Sequence, residues 1–255
     1  MYLSAERIAH ANRVVQETFQ QTSIAWQAIP HWDTGDPGQT QVRNDSLTAP
    51  AFIPLDLKEE TFQVTLAQAI APTPDALLAA VMSKTAKLAG TVDDDVLPKL
   101  YAADASPAST GTGPAALLNT LIDARADVEK VGYRAPSCLL TNTAGLKKLS
   151  QFVSGYSILD QLLVAANANS LHRAEKIDTV NTKMRVVLLG RRQRIAQGYA
   201  PEASPGEEPV DLAVSVLPSL EVLGDTAAGL IELSIRIRYG TRIKDLDGLV
   251  AVKEP

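Results

Sequence analysis

The sequence predicts an α+β fold in which a long helix and an extended C-terminal strand accompany a smaller region of alternating strands and helices. Apolar residues recur at helical spacing over residues 77–97, which indicates one long helix. From residue 137 onward, short apolar stretches alternate with short helical ones, a pattern typical of an α/β unit. Residues 229–239 alternate apolar and polar side chains, as a strand with one buried face does.

The chain opens with an amphipathic helix. Ser4 can cap its first turn, and apolar residues such as Phe19 and Trp26 then fall on one face. Pro30 sets the end, so we expect a helix over residues 4–27. An apolar helix face needs a surface to lie on, either in its own domain or on a neighbouring copy.

The character of the sequence changes after Trp32. Residues 33–38 are rich in turn formers, and two extended segments follow near residues 39–43 and 62–66. We interpret residues 33–66 as a projecting β-hairpin. A two-stranded ribbon is only marginally stable alone in water. We therefore expect the ribbon and the opening helix to find their stabilising contacts on other copies of the chain. The candidate inter-subunit contacts are Trp32, Phe52, Ile53, Lys58 and Phe62.

A long helix and an alternating region follow the ribbon. Pro74 suits the first position of a helix that runs over residues 74–100. A polar, low-complexity loop over residues 102–114 leads to a second helix, 115–131, which ends at Gly132. The remaining predictions are strands over residues 137–141, 176–180, 184–190, 210–217, 229–239 and 247–252, and helices over residues 142–149 and 158–166.

Composition and charge exclude several classes of protein. The 255-residue chain has a formal net charge of −5, which argues against a protein whose main contact is nucleic acid. Its single cysteine, Cys138, excludes an internal disulfide and a multi-cysteine metal cluster. The N-terminus lacks the pattern of a signal peptide, and no apolar stretch reaches the ~18 residues of a membrane span. We expect a protein made in a cytoplasm, with no membrane contact.

The sequence offers little catalytic chemistry. The histidines at positions 10, 31 and 172 lie far apart in the sequence, and none has another His or a Cys at a metal-ligand spacing. The Cys138 thiol lies in an apolar strand, which is the wrong setting for a reactive thiolate. We therefore expect no catalytic residue, no metal and no cofactor. The one basic cluster consists of Arg191, Arg192 and Arg194. It would touch DNA, line a pore or pair with acidic residues of a neighbouring subunit, or it is simply a charged turn between strands.

The order of these elements resembles the Hong Kong 97-type fold of tailed-phage major capsid proteins and of encapsulins. The segment LLAAVMSKTAKLAGTVDDDVL, residues 77–97, is similar to the family's spine helix, with a Leu-Ala pair followed by acidic residues. Gly132 and Pro136 stand where the family has a turn before its next strand. Residues 231–252 resemble the family's closing long strand, turn and final short strand.

The resemblance implies five parts of the chain. In such a fold, the extended hairpin, called the E-loop, lies over a neighbouring subunit, and the compact A-domains meet around local symmetry axes. The implied parts are an N-terminal helix or arm (1–32), the E-loop hairpin (33–66), a P-domain with the spine helix (67–131), an α/β A-domain (132–225) and a return to the P-domain (226–255).

The resemblance also implies a structural role and not an enzyme. We expect a major capsid subunit that self-assembles into pentamers and hexamers of an icosahedral phage head. This head would enclose double-stranded DNA that the subunit contacts weakly and non-specifically. Further partners would be a portal and decoration or scaffolding proteins, and the location would be the virion, assembled in the host bacterial cytoplasm.

Two alternatives stay open at this point. The first is an encapsulin-type bacterial nanocompartment whose shell holds cargo enzymes. The second, of a different class, is an α/β enzyme whose site is built from His31, Asp33 and the arginine cluster.

Overall fold

A computed structural model of the chain describes residues 3–44, 46, 49–111, 113–153, 155–178, 183–192 and 208–254. The helices of these residues are α1 (Ala5–Thr22), α2 (Ile24–Ala28), α3 (Leu66–Ile70), α4 (Asp75–Ala103), α5 (Pro114–Lys130), α6 (Thr143–Leu149) and α7 (Leu159–Ala165).

The strands form two main sheets, with the orders β1-β11-β12-β4 and β5-β13-β10-β6-β9, and two separate hairpins, β2–β3 and β7–β8. A short 3-10 helix, Leu246–Gly248, precedes the last strand. The strands are β1 (His31–Asp33), β2 (Gln41–Arg43), β3 (Phe52–Pro54), β4 (Asp56–Thr65), β5 (Ala108–Ser109), β6 (Ala135–Thr141), β7 (Phe152–Val153), β8 (Tyr156–Ser157), β9 (Ala168–Arg173), β10 (Arg185–Arg191), β11 (Val210–Asp225), β12 (Leu230–Ile243) and β13 (Leu249–Lys253).

Two long strands organise the four-stranded sheet. β11 and β12 pair antiparallel, β4 pairs antiparallel with the other edge of β12, and β1 lies parallel to β11. Along β12, Leu233, Ile235 and Ile237 alternate with polar residues and are fully buried. Helices α1 and α4 cover this face of the sheet, so one face of the strands and the apolar faces of two helices build the main core.

The five-stranded sheet is buried on both faces. In β6, Cys138 and Leu140 pack into the main core, whereas Leu139 packs into a second core that includes residues of α5, α6 and α7. In β10, Val187 faces the main core and Val186 faces the second. Successive side chains of a strand point to opposite faces. This two-sided burial explains why these strands are apolar at nearly every position.

A buried carboxylate joins α4 to the junction between α1 and α2. Asp93 accepts hydrogen bonds from the Ser23 hydroxyl at 2.7 Å and from the backbone N–H groups of Ile24 and Ala25, both at 2.9 Å. The N-terminal amides of a helix have no partner within the helix, so this carboxylate satisfies donors that α2 cannot. Burial raises the pKa of Asp93, while the three hydrogen bonds act in the opposite direction.

The opening helix is divided and lies within its own subunit. Ser23 ends α1 and caps α2, because its hydroxyl oxygen accepts a hydrogen bond from the Trp26 N–H at 3.2 Å. Val15 and Phe19 on α1 are fully buried, and the helix packs on α4 and β11. The expectation that this helix is stabilised by another copy is therefore wrong, since the chain's own core covers its apolar face.

The long helix exceeds its predicted length. Helix α4 continues through Pro98 as far as Ala103, and Pro74 lies at its N-cap instead of its first helical position. A proline inside a helix removes one backbone hydrogen bond. The burial of Leu97 and Leu100 against the core compensates for that local cost, so the helix does not end where its sequence pattern predicts.

Only the first part of the predicted ribbon is a hairpin. Strands β2 and β3 pair with each other, with Val42 opposite Ile53. Strand β4 instead runs beside β12 as the edge of the four-stranded sheet, with Phe62 and Val64 buried on its core face. The prediction that residues 62–66 form the second arm of the ribbon is therefore wrong. The division of the chain into five parts stays a prediction.

Most of the other predicted elements are confirmed, with β11 and β12 longer than expected. The prediction of a strand over residues 176–180 is wrong for residues 176–178, because residues 175–178 form turns and bends. Residues 179–180 lie outside the described ranges. Strand β9 was not predicted, since its sequence ANSLHR lacks both an apolar run and a clear alternation. The confirmed elements correspond to α5, α6, α7, β6, β10, β11, β12 and β13.

Replacing Asp93 by alanine should lower the free energy of unfolding by at least about 3 kcal/mol, because three donors lose their acceptor at about 1–3 kcal/mol each. Chemical denaturation of unassembled subunits, followed by circular dichroism, measures this loss. The matched control is Asp94→Ala, which removes a half-exposed ion pair with Lys176 and should cost less than about 1 kcal/mol. Equal losses in the two variants would contradict the capping role of Asp93.

The shared sheet should make the two cores unfold together. Leu139→Ala, which creates a cavity only in the second core, should cost about 2–5 kcal/mol. We expect the tryptophan fluorescence, which comes from Trp26 in the main core and from Trp32 near the β2–β3 hairpin, to shift its denaturation midpoint together with the circular dichroism signal. Leu246→Ala, at a side chain that is 57% exposed, should change stability by less than about 0.5 kcal/mol. A fluorescence midpoint that stays at the wild-type value would show that the two cores unfold independently.

Candidate assembly surfaces

The β2–β3 hairpin has one face fixed to the body of its own subunit. Val42 and Leu55 are buried and pack against Ala213 of β11, and Ile53 and Trp32 lie beside them. The base of the hairpin therefore has a small apolar core of its own, separate from the main core of the subunit.

One asparagine connects the described residues on either side of the hairpin's end. The Asn44 side chain accepts hydrogen bonds from the backbone N–H groups of Ser46 at 3.2 Å and Ala51 at 2.9 Å, and it donates to the Ala49 carbonyl at 2.9 Å. Next to this turn, the Phe52 ring is 65% exposed. An apolar ring is thus displayed on a segment whose backbone is well defined by local bonds.

A buried charge cluster lies beneath the hairpin. Asp211 accepts two hydrogen bonds from the Arg242 guanidinium, both at 2.6 Å, and one from the Lys244 ammonium at 2.8 Å. The guanidinium also lies 4.7 Å from the centre of the Trp32 ring and donates to the Arg43 carbonyl of β2 at 3.1 Å. The cluster therefore ties β11, β12 and the first strand of the hairpin together in one network.

The structure separates the predicted contact residues into two groups. The Phe52 ring is exposed, and Trp32, Ile53 and Lys58 are partly exposed. Phe62 is only 8% exposed and belongs to the main core, so its predicted contact with another subunit is wrong. It is buried because β4 pairs with β12 of the same chain and turns Phe62 towards the helices. The inter-subunit role of the other four residues stays a prediction.

The described part of the basic cluster is paired within the subunit. Arg191 lies 3.6 Å from Glu208, and Arg192 lies 3.4 Å from Asp245. Arg194 lies outside the described residues. These acidic partners belong to the same chain and not to a neighbour, so the predicted roles of the cluster at DNA, at a pore or at a neighbouring subunit stay predictions.

The histidines and the cysteine are dispersed. The His31 ring stacks on Trp26 with 3.6 Å between centroids, and burial lowers the pKa of His172, with Arg191 acting in the same direction. Cys138 is buried, and burial raises the pKa of its thiol, which disfavours the thiolate. Among the described residues, no group of three or more His, Cys, Asp or Glu side chains is placed to hold a metal ion. None of the helices in the described ranges is long and apolar enough to span a bilayer.

Three strongly exposed apolar side chains were missed at the sequence level. Tyr156, Val164 and Phe152, at 76%, 75% and 72%, are the most exposed large apolar side chains in the described part of the chain. They lie on the β7–β8 hairpin and on α7. The signal in the sequence was a pair of short apolar stretches on either side of Gly155. In the structure, Gly155 has a positive φ of 84°, which glycine adopts readily in a tight turn.

Solved structures match the chain closely in shape at low sequence identity. A virus-like particle from Pyrococcus furiosus has a TM-score of 0.68 at 14% identity, over 98% of this chain and 100% of that chain. The capsid of Myoviridae phage XM1 has a TM-score of 0.56 at 13% identity, over 89% and 90%. The SrpI encapsulin complex of Synechococcus elongatus has a TM-score of 0.53 at 13% identity, over 92% and 88%. No protein-family model and no curated protein sequence matches the chain.

The fold is therefore that of a Hong Kong 97-type capsid protein. The α+β class is confirmed, and the division of the chain into the implied parts stays a prediction. At these identities the matches define the fold alone, and the role of the chain is a proposal that starts from this fold.

The buried charge cluster generates a stability prediction. Asp211→Asn should lower the free energy of unfolding by about 3–5 kcal/mol, because Arg242 and Lys244 remain buried beside a neutral amide. Denaturation of unassembled subunits measures the loss. The matched control is Glu221→Gln, which neutralises the half-exposed partner of Arg236 and should cost less than about 1 kcal/mol. A small loss for Asp211→Asn would show that water reaches the cluster and screens its charges.

Proposed function

We propose that the chain is the repeating subunit of a closed protein shell, and specifically a major capsid protein that assembles into the pentamers and hexamers of an icosahedral phage head. The single observation that carries this proposal is the capsid fold, which extends over nearly the whole chain. The matched structures are named as a virus-like particle, a phage capsid and an encapsulin, each of them a particle or shell component.

The surface of the hairpin supports this role. Phe52 is exposed on a segment that the Asn44 turn and the Asp211 cluster hold in place. A fixed apolar ring on a projecting element favours contact with a partner surface. When an element of each copy packs on a different surface of the next copy, the contacts are heterologous. Such contacts form closed rings when the rotation between successive copies closes. We therefore propose that the hairpin lies over a neighbouring copy of the chain.

The net charge of the subunit bears on how tightly the shell would contact enclosed DNA. A subunit with a net charge of −5 has no surplus of cations with which to grip phosphates tightly, so we propose weak and non-specific contacts with enclosed double-stranded DNA. In a phage head, the further partners would be a portal and decoration or scaffolding proteins. The location would be the virion, with assembly in the host bacterial cytoplasm, and the role would be structural and not enzymatic.

A bacterial nanocompartment is the second candidate, because the encapsulin match covers most of both chains. The contents of purified particles separate the two functions. Nuclease-resistant double-stranded DNA would support a phage head, whereas a co-purified enzyme inside the shell would support an encapsulin-type compartment.

The proposal predicts that purified wild-type protein elutes as a large species in size-exclusion chromatography and forms closed particles of uniform diameter in negative-stain electron microscopy. Phe52→Glu should prevent particle formation while the subunit stays folded, because the carboxylate would be desolvated at the contact without a partner. Circular dichroism checks the fold.

The matched control is Leu223→Glu, which changes an apolar side chain that is 49% exposed at the far end of β11, away from the hairpin. This variant should still form particles. A wild-type protein that stays monomeric at high concentration would refute the shell proposal, and normal particles from Phe52→Glu would refute the role of the hairpin.

A further inference from the structure

The β7–β8 hairpin is a separate structural feature of the second core. Phe152 pairs with Ser157 and Val153 with Tyr156, and these two strands join neither of the main sheets. Such a short hairpin gains little stability from its own strand pairing. Its two aromatic rings are nevertheless among the most exposed large apolar side chains of the described residues, which is an unfavourable place for them in an isolated subunit.

The hairpin is anchored at both ends. Leu149 at the end of α6 is fully buried, and Ile158 and Leu162 on the other side are 8% and 2% exposed. All three belong to the second core. The Ile158 N–H donates to the Gln151 carbonyl at 3.1 Å and closes the base of the hairpin. The exposed rings are therefore displayed from a fixed base.

The two flanks of this hairpin carry opposite charges. Helix α6, which precedes it, has Lys147 and Lys148 in its last turn, and Lys147 is exposed. Helix α7, which follows it, has an exposed Asp160 in its first turn, and α5, which packs on α7, exposes Asp123. A second copy of the chain brings both flanks, so the basic flank of one copy is complementary to the acidic flank of the next.

The size of the surface indicates what kind of assembly it serves. A buried aromatic side chain contributes about 150–250 Å², and a stable pairwise interface needs about 1,200–2,000 Å² in total. The two rings of this hairpin are too few to hold an isolated dimer. They are sufficient as one of several contacts in a closed assembly, where each additional contact forms at high effective concentration.

We propose that Phe152 and Tyr156 of the β7–β8 hairpin, with Val164 of α7, form a second self-association surface that packs against the neighbouring copy of this chain in the shell. The proposal rests on the shell function argued above and deepens it. The surface lies in a different part of the chain from the β2–β3 hairpin, so each subunit would hold its neighbours through two separate apolar contacts.

Photo-crosslinking tests the proposal directly. We expect Tyr156→p-benzoylphenylalanine protein, assembled into particles and irradiated, to give a ladder of covalent oligomers larger than dimers on a denaturing gel. The same amino acid at Leu223 serves as the control and should leave mostly monomers. Particles that yield only monomers from position 156 would overturn this surface alone, whereas a wild-type protein that forms no particles would overturn the shell function together with it.

A double substitution provides an independent readout. Phe152→Ser with Tyr156→Ser should keep the wild-type unfolding midpoint of the unassembled subunit, because both rings are exposed there, and should reduce the yield of closed particles at least tenfold. Leu223→Ser, the matched loss of an exposed apolar side chain, should leave that yield unchanged. Particles at the wild-type yield from the double variant would overturn the proposal, as would an equal defect in Leu223→Ser.

Discussion

The five-stranded sheet is the constraint on which the rest of the subunit depends. Because both of its faces are buried, the same backbone supplies side chains to two cores: Leu140 and Val187 to the main core, and Leu139 and Val186 to the second. Neither core can be removed without exposing one face of the sheet. The α/β region is therefore packed directly against the rest of the subunit through the sheet that both cores share.

Buried charges serve orientation in this molecule more than net stability. A buried carboxylate is desolvated, and its bonds largely offset that cost without exceeding it by much. Asp93 and Asp211 are both buried, yet Asp93 accepts three hydrogen bonds and Asp211 accepts four, all from segments that lie far away in sequence. The first fixes where α2 begins against α4. The second fixes the direction in which the β2–β3 hairpin leaves the sheet, since Arg242 also holds the carbonyl of Arg43.

The sequence predicts those elements whose periodicity is set by a single buried surface. Helix α5 and strand β12 are of this kind, and their predicted positions are nearly correct. Prediction from the sequence fails where contacts between distant residues determine how an element is placed. Nothing local indicates that residues 56–65 pair with β12 instead of forming a ribbon, or that Asp93 caps a helix some seventy residues earlier in the chain. The aromatic residues of β7 and β8 were missed because two-residue strands give too short a pattern to detect.

The two proposed contact surfaces belong to different cores, and this determines how they would act together. The β2–β3 hairpin is attached to β11 and β12 through Ala213 and Arg242, whereas the β7–β8 hairpin is anchored in the second core through Leu149 and Leu162. The side chains of the sheet that both cores share are buried on either face, so a hinge motion between the cores would have to disrupt this packing. The angle between the two contacts is then a property of the fold, and in a shell of identical subunits that angle limits the curvature with which rings can close.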